Sequence, residues 1–255
     1  MPNLILASGS PRRKEILASL GLEFTILKPD IDETQHAGEN PYTYVARLSQ
    51  EKAQAVANRL HERSAQAPAG VVLAADTVVV AADTIGVAGS GHNLEEDGEI
   101  LGKPVDPDDA RVMLQRLRGT MHVVCTAITL LRLDGPDRRQ HTALTRTRVI
   151  MRDYTDAEID AYIATGDPFD KAGGYAIQHE EFAPVASIEG SYTNVVGLPV
   201  ETLRALLGNW GSPRRPREGC IRIWGRLTIH AGRHTGRPLH PVLCDSSGTS
   251  PRPAS

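Results

Sequence analysis

The sequence lacks any apolar run of about 18 residues, the length a membrane-spanning helix requires, so no such helix is expected in its 255 residues. Met1-Pro2-Asn3 brings neither a basic region nor a long apolar stretch, so a secretory leader is not expected. Cysteine is scarce. Three residues, Cys125, Cys220 and Cys244, are too few and too odd a set for a disulfide scaffold, which points to a reducing cytoplasm. The P-loop pattern is absent, and Gly173-Gly174 is no G-x-G-x-x-G fingerprint, which weakens the common ATPase and dinucleotide readings. The six histidines of residues 1–208 include no H-x-x-x-H pair, so a zinc site there is not expected. Repeats at solenoid periods are missing too. What remains is an ordinary globular composition, 40% hydrophobic and 23% charged.

The charge is unevenly spread. Residues 1–208 hold 20 basic and 29 acidic side chains, a balance of −9, while residues 209–255 hold 8 basic and 2 acidic, a balance of +6. An acidic body does not suit a general nucleic-acid binder, although a small anion could still be held by local cations. Twelve of the 47 tail residues are Gly or Pro and apolar periodicity is absent, so disorder is expected there. Cys220, His230, His234, His240 and Cys244 are the tail's only candidate chemistry, and their spacing lacks the tight pairs of structural zinc sites.

Residues 1–208 alternate short β-rich runs with helical patterns, which predicts an α/β domain. Strands are expected at 4–7, 23–28, 71–80, 121–133 and 142–152. Helices are expected at 11–20, 41–60, 107–118, 156–165 (Thr155 and Glu158 forming a capping box) and 199–207. The Gly-, Ala- and acid-rich segment 81–98 reads as an exposed loop. Its Ala-Ala-Asp-Thr copies residues 74–77 but leads into no strand, so Asp83 is taken as a decoy.

Three placements break the usual rules. Ser10 is a natural N-cap and Pro11 a natural first residue, yet Arg12, Arg13 and Lys14 follow at the positive end of a helix. Each cation there is unfavourable by about 0.3–1 kcal/mol unless an anion sits nearby. The plainer reading is a solvated basic turn. Asp76 interrupts the apolar run 71–80. A buried carboxylate needs a partner or a metal, unless the strand simply ends there. Lys52 falls in the apolar stripe Val45, Leu48, Val56, Leu60, and either snorkels from a core edge or points into a cleft.

Lysine itself is rare, five against 23 arginines. Lys14, Lys52, Lys103 and Lys171 fall in segments already singled out, and only Lys28 does not. Lys103 sits in the turn Gly102-Lys103-Pro104, and Lys171 precedes two glycines that permit close backbone approach. Compact point charges suit phosphate clusters. With Glu33 as the best second carboxylate, the set suggests a polyphosphate site whose oxygen-rich shell favours Mg²⁺ or Mn²⁺.

Six segments occur in order: Ser8-Gly9-Ser10-Pro11-Arg12-Arg13, Glu51-Lys52-Ala53, Ala75-Asp76-Thr77-Val78-Val79, Gly102-Lys103-Pro104, Lys171 through Gln178, and Asn194-Val195-Val196-Gly197-Leu198-Pro199. With them the chain resembles, over about residues 3–207, the Maf family of nucleoside triphosphate pyrophosphatases. The resemblance implies an α/β fold of the inosine-triphosphate-pyrophosphatase type, a twisted mixed sheet with two lobes around a cleft. It implies metal-dependent hydrolysis of a nucleoside triphosphate to the monophosphate and pyrophosphate. On it, Asp76 matches the catalytic aspartate, as base or as metal ligand. Ser8, Arg13, Lys52 and Lys103 match phosphate-side positions, and Glu33 a metal-side carboxylate. Arg12, Thr77 and Gln178 match positions that separate subfamilies, and their identities look like the branch acting on dTTP and UTP. The 7-methyl-GTP branch has Trp after the Ser-Pro and Gln after the aspartate. Ser10 and Lys171 complete the expected substrate-binding set.

The chain departs from the family in its longer 81–98 loop and in its 209–255 tail. The expectation is a cytoplasmic pyrophosphatase domain over 1–208, with a modified pyrimidine nucleotide as one form the substrate could take. A homodimer is left open. The alternative is a non-catalytic nucleotide- or nucleic-acid-binding regulator that uses the basic tail, which offers only Trp210 and Trp224 as stacking platforms.

Overall fold

The strongest apolar run of the sequence becomes the central strand of one mixed sheet. The structure is a computed structural model that describes residues 3–63, 69–81, 98–133 and 139–210. β1 (Leu4–Ala7) lies parallel to β2 (Phe24–Ile26) on one side and to β3 (Val71–Ala81) on the other. β4 (Glu99–Leu101) and β5 (Met121–Arg132) pair antiparallel with β3, β6 (Gln140–Met151) with β5, and β7 (Val185–Glu189) with β6. The described strands therefore run in the order β2-β1-β3-β5-β6-β7, with β4 joined to β3.

Alternation along β3 sorts its side chains between two faces. Val72 and Ala74 pack with Ala53 and Val56 of α2 (Pro41–Arg63), and Val78 and Val80 with Val45 near its start. On the opposite face Val71, Leu73 and Ala75 meet Leu17 of α1 (Pro11–Ser19) and Leu203 of α6 (Val200–Trp210). Val79 and Ala81, further along that face, meet Ala110 and Leu114 of α3 (Pro107–Leu117) and Ile159 and Tyr162 of α4 (Asp156–Ala164). Full burial of one such Leu contributes about 1.5–3 kcal/mol. The core thus forms two groups on this face, one under α1 and α6, the other under α3 and α4.

Pairing along β3 accounts for the cleft. One edge of β3 is paired with β5 along its whole length. The other edge pairs with β1 at Val71–Ala74 and with β4 at Val79–Ala81. Neither strand covers residues 75–78, so the sheet parts at Asp76 and Thr77. The strand does not end at Asp76; it continues to Ala81.

The expected caps hold on two helices. Asp106 accepts from Asp109 N–H at 2.8 Å, and Thr155 with Glu158 forms the full capping box. Ser10 is at the N-cap of α1, but its side chain makes no cap hydrogen bond. The last helix runs on to Trp210, so residues 209 and 210 belong to it and not to the tail. Gly208 lowers helix propensity by about 1 kcal/mol relative to Ala without ending the helix. The structure adds β4, β7 and the five-residue α5 (Tyr192–Val196) to the expected elements. Asp83 and the Cys/His set of the tail lie outside the described residues. Among the described residues no helix is long and apolar enough to cross a membrane.

Candidate active site

The parted sheet opens into a cavity of about 520 Å³. All eleven residues singled out as site candidates line it: Ser8, Ser10, Arg12, Arg13, Glu33, Lys52, Asp76, Thr77, Lys103, Lys171 and Gln178. They come from the β1–α1 turn, the start of α1, the segment before α2, α2 itself, β3, the turn after β4 and the loop after α4. Lys14 is exposed and absent from the wall, while Lys28 is part of it. The reading of these two lysines is thereby reversed.

Asp76 and Thr77, adjacent on β3, point to opposite faces. Asp76 faces α2, where the Lys52 ammonium lies 2.5 Å from its Oδ1 and 2.9 Å from Glu33 Oε1. Lys52 and Asp76 are only 6% and 7% exposed, so this lysine does not snorkel to solvent. Burial pushes the Asp76 carboxyl above the ordinary range, and the fields of Lys52 and Arg13 pull against that rise. Glu33 is mostly exposed, and its backbone carbonyl accepts the Tyr44 hydroxyl at 2.7 Å. Tyr44 also lines the cavity. Its signal in the sequence was only a polar tip near the start of an amphipathic helix.

Thr77 faces α1 and α5. Arg13 reaches across with three donors: Nη2 to Thr77 Oγ1 at 3.0 Å, Nη1 to Ser8 Oγ at 3.2 Å and Nε to the Gly197 carbonyl at 2.9 Å. This is not a solvated basic turn. Burial lowers the Arg13 pKa, and the Asp76 charge opposes that effect. Thr77 in turn meets Thr126 Oγ1 at 2.9 Å, and Thr126 donates to the Asn194 carbonyl at 3.4 Å. Asn194 itself is fully buried, its Nδ2 donating to Val124 O and Thr147 Oγ1. Asn194 thereby seats the turn that carries Gly197. Gly197 has φ +121°, a conformation that glycine adopts without strain.

Two of the expected phosphate cations are already engaged. Arg12 pairs with Asp170 Oδ2 at 3.0 Å. Lys171 directs its donors to Asp167 O at 2.6 Å, Asp167 Oδ1 at 2.9 Å and Asp170 Oδ1 at 2.5 Å. With three N–H groups and three acceptors, Lys171 is satisfied inside its own loop. It shapes the wall and has no donor left for an anion. The glycines after it act as their spacing suggested. A Cβ on Gly173 would stand 3.0 Å from Val79 Cγ2, and its N–H donates to Gly102 O at 2.9 Å, which ties the Lys171 loop to the Lys103 turn.

Among the described residues three carboxylates line the cavity, and with Asp170 held by Arg12 and Lys171 a metal ion would find two, Glu33 and Asp76. Glu33 and Asp76 line one wall and share one ammonium. Among the described residues no group of three or more His, Cys, Asp or Glu could hold a metal by itself. That donor set fits a hard cation that takes one or two carboxylates from the protein and further oxygens from phosphates and water.

The model of the family described as Maf-like protein matches residues 3–210. The chain belongs to the Maf family. A relative from Myxococcus xanthus named dTTP/UTP pyrophosphatase is 44% identical over 210 residues, covering 82% of this chain and 93% of the relative. Relatives with the same name from Anaeromyxobacter dehalogenans and Chromobacterium violaceum are 45% and 43% identical, covering 83% and 82% of this chain and 96% and 94% of theirs. In this Maf chain the match ends at the last residue of α6, and the sheet that parts at Asp76 lies wholly inside it.

Proposed function

We propose that this chain hydrolyses nucleoside triphosphates, with dTTP and UTP favoured, to the monophosphate and pyrophosphate. One observation carries the reading: Arg13, Lys52 and Lys103 converge with Asp76 in a single cavity. The names of the relatives support the substrate class. We assign the catalytic unit to the residues through the end of α6 and its place to the cytoplasm.

In this reading Arg13, Lys103, Ser8 and Ser10 hold the phosphate chain. Arg12, Thr77 and Gln178 meet the nucleoside side of the cavity. Lys171 keeps their wall in place through Asp167 and Asp170. Glu33 and Asp76 would hold a divalent metal, Mg²⁺ or Mn²⁺, which when bound supplies charge stabilisation to the phosphate oxygens. Asp76 takes a proton from water. The water oxygen bonds to a phosphorus of the link between the first two phosphates, and the P–O bond to pyrophosphate breaks. A carboxyl raised by burial is a better base than one in water, because its pKa lies nearer the working pH. Lys52 holds that carboxylate ionised and oriented, and fixed cations in a part-buried cavity stabilise developing phosphate charge more than exposed ones would.

Pyrophosphate release from a panel of nucleoside triphosphates, with Mg²⁺, Mn²⁺ or a chelator, tests the proposal. Turnover of UTP and dTTP to monophosphate and pyrophosphate, lost with chelator, is the expected result. Release of orthophosphate with a diphosphate product, or no release at all, would refute it.

A further inference from the structure

Among the described residues six cations line the cavity: Arg12, Arg13, Lys28, Lys52, Lys103 and Lys171. Arg12, Lys52 and Lys171 are paired with carboxylates, and Arg13 is shared among three oxygens of the protein. Arg13, Lys28 and Lys103 have no carboxylate partner among the described residues, and of these Arg13 already gives donors to neutral protein oxygens. A triphosphate needs cations whose charge is not already matched. Lys103 lies in a motif of the sequence; Lys28 lies in none.

We propose that Lys28 is a further substrate-binding residue that pairs with the phosphate chain beside Ser8-Gly9-Ser10. The proposal rests on the function proposed above. Two structural features support it besides the cavity wall. First, Lys28 and Ser8 follow the carboxyl ends of neighbouring parallel strands, β2 and β1. Ligands of α/β sheets gather outside such ends. Second, the Lys28 stem lies across Gly9. A Cβ placed on Gly9 would stand 3.4–3.5 Å from Lys28 Cγ, Cδ and Cε, so three methylenes pass over this one glycine. The Lys28 carbonyl is meanwhile fixed by Arg59 Nη1 at 2.8 Å. Lys28 is exposed, but a stem lying against Gly9 loses less rotamer freedom when its ammonium takes an anion than a stem with no contact would.

The test compares the full-length wild-type chain with Lys28→Met, which keeps a stem over Gly9 but no charge, and with Lys28→Arg. It reads KM and kcat for UTP with Mg²⁺, and the affinity for inorganic pyrophosphate by calorimetry. Lys28→Met should raise KM and weaken pyrophosphate binding each about three- to tenfold, with kcat within about twofold and unchanged melting. Lys28→Arg should restore most of the loss. The rise of KM with added salt should be shallower in Lys28→Met, because one screened charge pair is gone. Unmoved KM and unmoved pyrophosphate affinity in Lys28→Met, beside an active wild type, would overturn the role of Lys28 alone. A wild type that neither turns over nor binds pyrophosphate would overturn the proposed function with it.

Discussion

The Lys52 ammonium sits between two carboxylates, 2.5 Å from Asp76 and 2.9 Å from Glu33, and only Asp76 is buried. The lysine is therefore the partner that lets β3 carry an acid through the parted sheet. Lys52 pulls the Asp76 pKa down against the rise caused by burial. Its loss must move that pKa further up. Lys52→Met should shift the acid limb of kcat/KM to higher pH, read from pyrophosphate release across a pH series. It should also destabilise the fold by about 3 kcal/mol in denaturant unfolding at neutral pH, where the carboxylate loses its partner. An acid limb that stays in place or moves down would contradict this role.

Arg13 joins three chain segments through one guanidinium. A lysine there cannot reproduce the planar fork. Arg13→Lys should leave the Gly197 carbonyl or Thr77 short of a donor, and should lower stability by about 1–3 kcal/mol while raising KM for UTP. Thermal melting and steady-state kinetics on one preparation check both. A change in neither would show that the three bonds are dispensable.

Lys171 lines the cavity, with its ammonium turned to its own loop. Its three donors end on Asp167 and Asp170. Lys171→Met should therefore lower the melting temperature, by about 1 kcal/mol of stability, since Asp167 and Asp170 are partly exposed and regain water as a partner. A variant that melts like the wild type but has lost affinity for pyrophosphate would return Lys171 to the direct phosphate role.

His122 lies in β5 beneath the cavity wall, its Nε2 2.8 Å from the Tyr175 hydroxyl. Burial pushes its pKa down to about 3. The folded chain thus keeps His122 neutral where the unfolded chain, with an ordinary value near 6.5, takes up a proton. The unfolded state binds more protons below that value, so stability falls as pH drops from 6.5 toward 3, by up to about 1.4 kcal/mol per pH unit from this one group. His122→Gln removes the titrating ring. Denaturant unfolding at pH 7 and at mildly acid pH should show a smaller acid loss in the variant. An equal loss in both chains would contradict the assignment.

Much of the fold was legible because single elements carried strong local signals. The apolar run of β3, the acid-first turn of α3 and the Thr155–Glu158 box of α4 each depend on residues within one turn or one strand. β4 and β7 depend instead on partners far away in the chain. Glu99–Leu101 is three residues long, and Val185–Glu189 carries Ser187 and Glu189 on a partly exposed edge. The site was legible where charge broke a pattern, at Arg13, Lys52 and Asp76. It was not legible at Lys28 and Tyr44, which break none, nor at Asn194, whose part in seating Gly197 exists only once β5 and β6 stand beside it. Sequence also could not show which cations were already paired. Arg12 and Lys171 read as free charges until Asp167 and Asp170 folded against them.

The central claim is that Asp76 is chemically necessary in a cavity whose cations bind the nucleotide without it. Asp76→Asn isolates that claim, because it keeps the size of the side chain and removes the charge. Single-turnover pyrophosphate release from UTP should fall by about 10³-fold, while UTP binding, measured on the same preparation by calorimetry, stays readily measurable. Turnover close to that of the wild type would contradict the account.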